Sequence, residues 1–118
     1  MDTTEMTAWL GPAAKEMNPD QQERFARAWD EVGKRYSDRN DAGRRDAALI
    51  AAVQYLLGEM TIDRAGAERE ATRDAAALAS AAAQQMAVMA VEDGMSEVEA
   101  ARRARIDRRW LRRLQGKD

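Results

Sequence analysis

Residues 94–116 read Gly-Met-Ser-Glu-Val-Glu-Ala-Ala-Arg-Arg-Ala-Arg-Ile-Asp-Arg-Arg-Trp-Leu-Arg-Arg-Leu-Gln-Gly. The punctuation in this stretch is dense. Gly94 ends an incoming helix, since only glycine takes the left-handed cap conformation without strain. Ser96 caps the next helix, and Glu99, three residues on, supplies the second half of a capping box. That helix is short, 97–104. A turn at Arg105-Ile106 leads to Asp107, a good cap for a last helix over about 108–115, closed by Gly116. Two helices of about two turns each, joined by a three-residue turn, predict a helix-turn-helix. Its interior is expected to comprise Val98 and Ala101 from the first helix, Ile106 from the turn, and Leu111 and Leu114 from the second. Ala101 is small where the two helices must cross closely.

The opposite face of the last helix is cationic. Arg108, Arg109, Arg112 and Arg113 occupy adjacent places on it, and Lys117 follows. Guanidinium groups so placed can grip guanine edges bidentately in a major groove and pair with the flanking phosphates. These four are expected to divide base and phosphate contacts, with Arg102, Arg103, Arg105 and Lys117 on the DNA backbone. Arg112→Ala then costs on the order of 1–3 kcal/mol of binding if the side chain reads a base edge. Capture of the guanidinium groups by carboxylates of their own chain would remove this role.

Charge along the chain points the same way. Residues 1–95 hold 11 Lys+Arg against 17 Asp+Glu, a balance of −6, whereas residues 96–118 hold 8 against 4, a balance of +4. An acidic body with a basic end suits a chain in which one module meets a polyanion. A solvated basic helix end is the plainer alternative. The basic residues are 16 Arg to 3 Lys, which beside so much alanine also suits a GC-rich genome.

The segment resembles the helix-turn-helix of site-specific recombinase tails and of many small bacterial regulators. Their pattern is a serine-capped helix with a Glu-Ala-Ala centre, a Gly-Val-Ser/Asp turn and an arginine-rich helix ending in a hydrophobic pair. Ser96, Glu99-Ala100-Ala101, Ile106-Asp107 and residues 108–114 match it, over about a fifth of the chain. The resemblance implies sequence-specific binding of double-stranded DNA, in transcriptional regulation or in maintenance of a plasmid or phage. Two positions depart from the pattern. Arg105 stands where glycine is usual, at a strain of order 1 kcal/mol if φ is positive. Trp110 replaces a small threonine, and two environments are open to it: packing against the end of the long helix, or lying on a sugar–phosphate edge.

Upstream, the periodicity is helical throughout, so the fold class is all-α. Met6, Trp9 and Leu10 precede a stop at Gly11-Pro12. Asn18, Pro19 and Gln21 form a helix start, and Phe25, Trp29, Val32 and Tyr36 then make one stripe, expected to be core. After a polar loop over 37–43, a second helix from about Arg44 to Met60 carries Leu49, Ile50, Val53, Leu56, Leu57 and Met60 on a broad face. Thr61 or Asp63 can cap a third helix running to about Asp93, some 30 residues and ~45 Å long. In a chain this small, such a helix must project or break. Its second half, 75–91, is apolar nearly all round and has to be covered. Ala71, Ala75, Leu78, Ala82, Gln85 and Met89 follow a 3.5-residue seam, which favours a homodimer over a purely internal bundle. The expected organisation is an N-terminal helical region (1–63), a connecting and dimerising helix (64–93) and the helix-turn-helix (94–118).

Composition sets the outer limits. At 118 residues there is room for one domain and a small module. Cysteine and histidine are both absent, which removes disulfides, thiolate or imidazole metal sites and imidazole acid–base chemistry. Asp38 with Asp41, and Glu92 with Asp93, have no spacing that defines a metal site. Neither an enzymatic activity nor a cofactor is expected. The 75–91 run is interrupted by Ser80, Gln84 and Gln85 and is too short to span a bilayer, and residues 1–5 lack the pattern of a secretory signal. The expected location is therefore cytoplasmic, with no membrane contact. Two other classes of function stay open: an adaptor whose acidic N-terminal bundle binds a protein partner, and an architectural protein binding DNA with little sequence preference.

Overall fold

The computed structural model describes residues 3–117, and among them there is no strand. The chain is all-α. It divides into two units, one up to Ala65 and one from Gly66.

The first unit contains α1 (Thr3–Leu10), α2 (Ala13–Glu16), α3 (Pro19–Arg35), a 3₁₀ turn (Arg39–Asp41) and α4 (Ala42–Leu56). Its organising helix, α3, starts where the local chemistry demands. Asn18 Oδ1 accepts from the Gln21 N–H and the Asn18 N–H donates to Gln21 Oε1, both at 2.8 Å, with Pro19 at the first helical position. The stripe that follows is core, with Phe25, Trp29 and Val32 buried alongside Leu10, Met17 and Leu49. Trp9 stacks on Phe25 at 5.9 Å between centroids and meets Trp29 edge-on at 6.0 Å. Residues near the N-terminus thus close the core that α3 and α4 begin. Gln21 does double duty: its Nε2 donates to the Leu56 carbonyl at 2.8 Å, tying the start of α3 to the end of α4.

Two details differ from expectation. Helix α4 begins at Ala42 and ends at Leu56, short of Met60. Gly58 takes φ +73°, and the Glu59 N–H returns to the Gln54 carbonyl at 2.8 Å, a closing turn that only a residue tolerant of positive φ allows. Ile50 is half exposed, because the core contact of α4 runs along Leu49, Val53 and Leu56 instead.

Helix α5 (Ile62–Glu92) spans 31 residues without a break. Thr61 caps it, its hydroxyl accepting from the Arg64 N–H at 3.2 Å. In the second unit α5 is joined by α6 (Glu97–Ala104) and α7 (Arg108–Leu114). The second unit thus takes in most of α5 together with α6 and α7, and the physical reason is core supply. Helices of 8 and 7 residues cannot stand alone. Ala87 of α5 packs with Ala100, Ala101 and Leu111, and Val88, Val91, Met95, Ala104 and Ile106 surround them.

Val98 and Leu114, expected inside, are 55% and 47% exposed. Helix α6 turns Ala100, Ala101 and Ala104 inward instead, and these small side chains let three helices approach closely. The far side of α5 is bare in this chain. Ala71, Ala75, Leu78, Ala82, Gln85 and Met89 are all exposed, and at 100° per residue they fall opposite Ala87. Among the described residues, no helix is long and apolar enough to cross a membrane.

Candidate nucleic-acid interface

The cationic residues of 102–117 are positioned by three local devices. Ser96 Oγ accepts from the Glu99 N–H at 3.1 Å and starts α6. The reciprocal half of the expected capping box is replaced, since the Glu99 carboxylate pairs with Arg102, whose Nε lies at 3.2 Å. Helix α6 ends at Arg105, which adopts φ 60°, ψ 41°, and the Ile106 N–H returns to the Ala101 carbonyl at 3.0 Å. An arginine thus holds the left-handed position that the turn requires. Asp107 then starts α7, its Oδ1 accepting from the Arg109 N–H at 2.7 Å.

Glu97 is the electrostatic centre of the site. Its side chain is only 14% exposed and faces three cations: Lys117 Nζ at 2.6 Å, Arg112 Nη1 at 2.9 Å and Arg108 Nε at 3.6 Å. The Lys117 hydrogen bond comes first in holding its carboxyl below the ordinary glutamate range, with Arg112 adding to it against an opposing desolvation. Asp107 is also lowered, first by the Arg109 backbone N–H and then by the Arg109 guanidinium. Glu99 is lowered chiefly by its hydrogen bond from Arg102.

The chain's own carboxylates therefore capture the arginine face only in part. Arg108, Arg112 and Lys117 gather on Glu97, and Arg102 pairs with Glu99. Arg112, one of the four arginines expected to divide base and phosphate contacts, links α7 to α6, because it lies toward the partner helix on the flank of α7. Arg109 makes only a long contact of 3.4 Å to Asp107, with its side chain 85% exposed. Among the described residues, no carboxylate lies within ion-pair distance of Arg103, Arg105 or Arg113, and all three are exposed. On α7, Arg109 and Arg113 point most nearly away from buried Leu111.

Trp110 does not join the core. It is 44% exposed and lines a shallow concavity with Asp107, Arg109 and Arg113. No protein-family model, curated protein or solved structure matches this chain.

Two residues of the site escape sequence reasoning. Glu97 and Ala100 share the inward face of α6 with Ala101 and Ala104, at i, i+3, i+4 and i+7. That spacing is the signal that could find them, but Val98 is the bulkier apolar side chain and outweighs it. What the arrangement can do is attract anions. Glu97 offsets one of the three cations that surround it, and the outer arginines add to that surplus.

Proposed function

We propose that this chain is a sequence-specific DNA-binding protein that works as a homodimer, in transcriptional regulation or in maintenance of a plasmid or phage. The carrying observation is the presentation of Arg109 and Arg113 on the exposed face of a capped α7 that Glu97 clamps to α6. A helix of this kind fits a major groove about 12 Å wide, and arginine is the side chain best matched to guanine O6 and N7. Arg103 and Arg105 lie at the end of α6 and in the turn, where they suit phosphate contacts. The cations on Glu97 serve first as scaffold and second as a positive background.

The homodimer rests on a separate observation. The exposed seam includes Leu78 at 74% and Met89 at 53% exposure, more apolar helix surface than a lone helix leaves in water without a partner. A two-fold pair would read half-sites about one helical turn apart, and doubling the contacts compensates for the small size of each motif.

Selection of bound duplexes from a random pool, run at several salt concentrations beside light scattering, tests both parts. The expected result is an enriched two-fold-symmetric motif and a mass twice 13.2 kDa. Retention without any enriched motif favours an architectural role. Absence of retention favours an adaptor.

A further inference from the structure

We infer that Trp110 contacts the 5-methyl group of a thymine in the major groove and so helps set which sequence is bound; this rests on the DNA-binding reading above. Trp110 sits in the first turn of α7, where a recognition helix brings side chains to base edges. Its indole stands outside the cluster of Ala87, Ala100, Ala101 and Leu111. Among the described residues the ring-to-ring contacts all belong to Trp9, Phe25 and Trp29, so no aromatic partner holds the Trp110 ring. A large apolar ring, 44% exposed, is thus left partly in water although core packing is the natural alternative at its position.

Its neighbours define the occupant. Arg109 and Arg113 line the same concavity, so an apolar face lies beside two cations. The matching surface is an apolar group flanked by acceptors and anions. In the major groove thymine presents that combination: a C5-methyl beside its own O4 acceptor, with phosphates on either side. Asp107 pairs with the Arg109 backbone and, at 3.4 Å, its guanidinium, so the concavity keeps a surplus of one positive charge, with Arg113 out of ion-pair reach of any described carboxylate.

The test uses the duplex recovered by selection and the same duplex with each thymine replaced in turn by deoxyuracil, which removes only the methyl. The wild-type chain is expected to lose roughly three- to fivefold in affinity at one thymine of each half-site, the value of one buried methyl. Trp110→Ala, whose helicity is checked by circular dichroism, is expected to bind the thymine duplex more weakly and to make no distinction between thymine and uracil. The inference is overturned if the wild type binds both duplexes equally at every position, if Trp110→Ala keeps the difference, or if the selected half-site holds no thymine. In each of these cases DNA binding itself stands. Failure of any duplex to be retained overturns the DNA-binding reading and this inference with it.

Discussion

Arg112 Nη1 lies 2.9 Å from Glu97 Oε2, a bond that crosses from the first turn of α6 to the last turn of α7. With Lys117 on the other carboxylate oxygen at 2.6 Å, Glu97 fixes how the arginine-bearing helix is carried. The same bond sets a competition. Any phosphate that reaches Arg112 or Lys117 must displace a carboxylate already in place.

Glu97→Gln is expected to loosen that hold and make more positive charge available to a polyanion. Affinity for random-sequence duplex should rise, and the slope of log K against log salt should steepen by about 0.9 for each additional phosphate neutralised. Fluorescence anisotropy over a salt series measures this. An unchanged slope would show that the cations stay on α6 without the charge.

Arg113→Ala and Arg112→Ala should differ in kind. Removal of Arg113, exposed beside Trp110, is expected to cost about 1–3 kcal/mol on the selected sequence and much less on random DNA. Removal of Arg112 should lower the thermal midpoint and weaken all duplexes alike, because its partner is Glu97. Equal selectivity loss in the two variants would place Arg112 among the base-reading arginines.

Acid should weaken the second unit. Glu97, Glu99 and Asp107 all have lowered pKa values in the folded chain, so they hold their charge to lower pH there than when unfolded. Their stabilisation is complete above the ordinary carboxylate range and is lost as pH falls from about 5 through the folded values. Thermal midpoints from pH 7 to pH 3 should drop more steeply for the wild type than for the triple variant Glu97→Gln, Glu99→Gln, Asp107→Asn. Parallel curves would contradict the prediction.

Arg105→Gly separates stability from binding. A side chain in the left-handed region costs roughly 1–2 kcal/mol, and glycine loses about 0.5–1 kcal/mol through unfolded-chain entropy, so a net gain centred on ~0.75 kcal/mol is expected. Thermal melting should shift upward by a few degrees. DNA affinity should fall if Arg105 meets a phosphate.

Leu78→Glu tests the seam on α5. Leu78 is largely exposed within the chain, so the fold should survive the change while the dimer does not. Light scattering is expected to report a single chain and circular dichroism an unaltered helical signal. A variant that stays dimeric would place the interface elsewhere.

Much of this is legible in the sequence because it is encoded locally. The caps at Asn18, Ser96 and Asp107 depend on residues within three positions of each other, and all of them form. The positive φ at Arg105 is legible through the resemblance, whose pattern carries glycine at that position. The stripe from Phe25 through Val32 is legible because one helical face repeats at fixed spacing. Val98 and Leu114 depart from expectation, and Trp110 stays out of the core, for a common reason. Their size favours burial, but the space between α5, α6 and α7 is filled by Ala87, Ala100, Ala101 and Leu111.

By itself, then, the sequence determined an all-α chain, where its helices start, and a basic end on an acidic body, since all three are properties of neighbours or of composition. Only the tertiary structure decided which arginines remain available. Arg108, Arg112 and Lys117 stand 11, 15 and 20 residues from Glu97, and only the turn at Arg105 brings them to one carboxylate. A charge count cannot reveal that, because Coulomb attraction acts on distance in space and not along the chain.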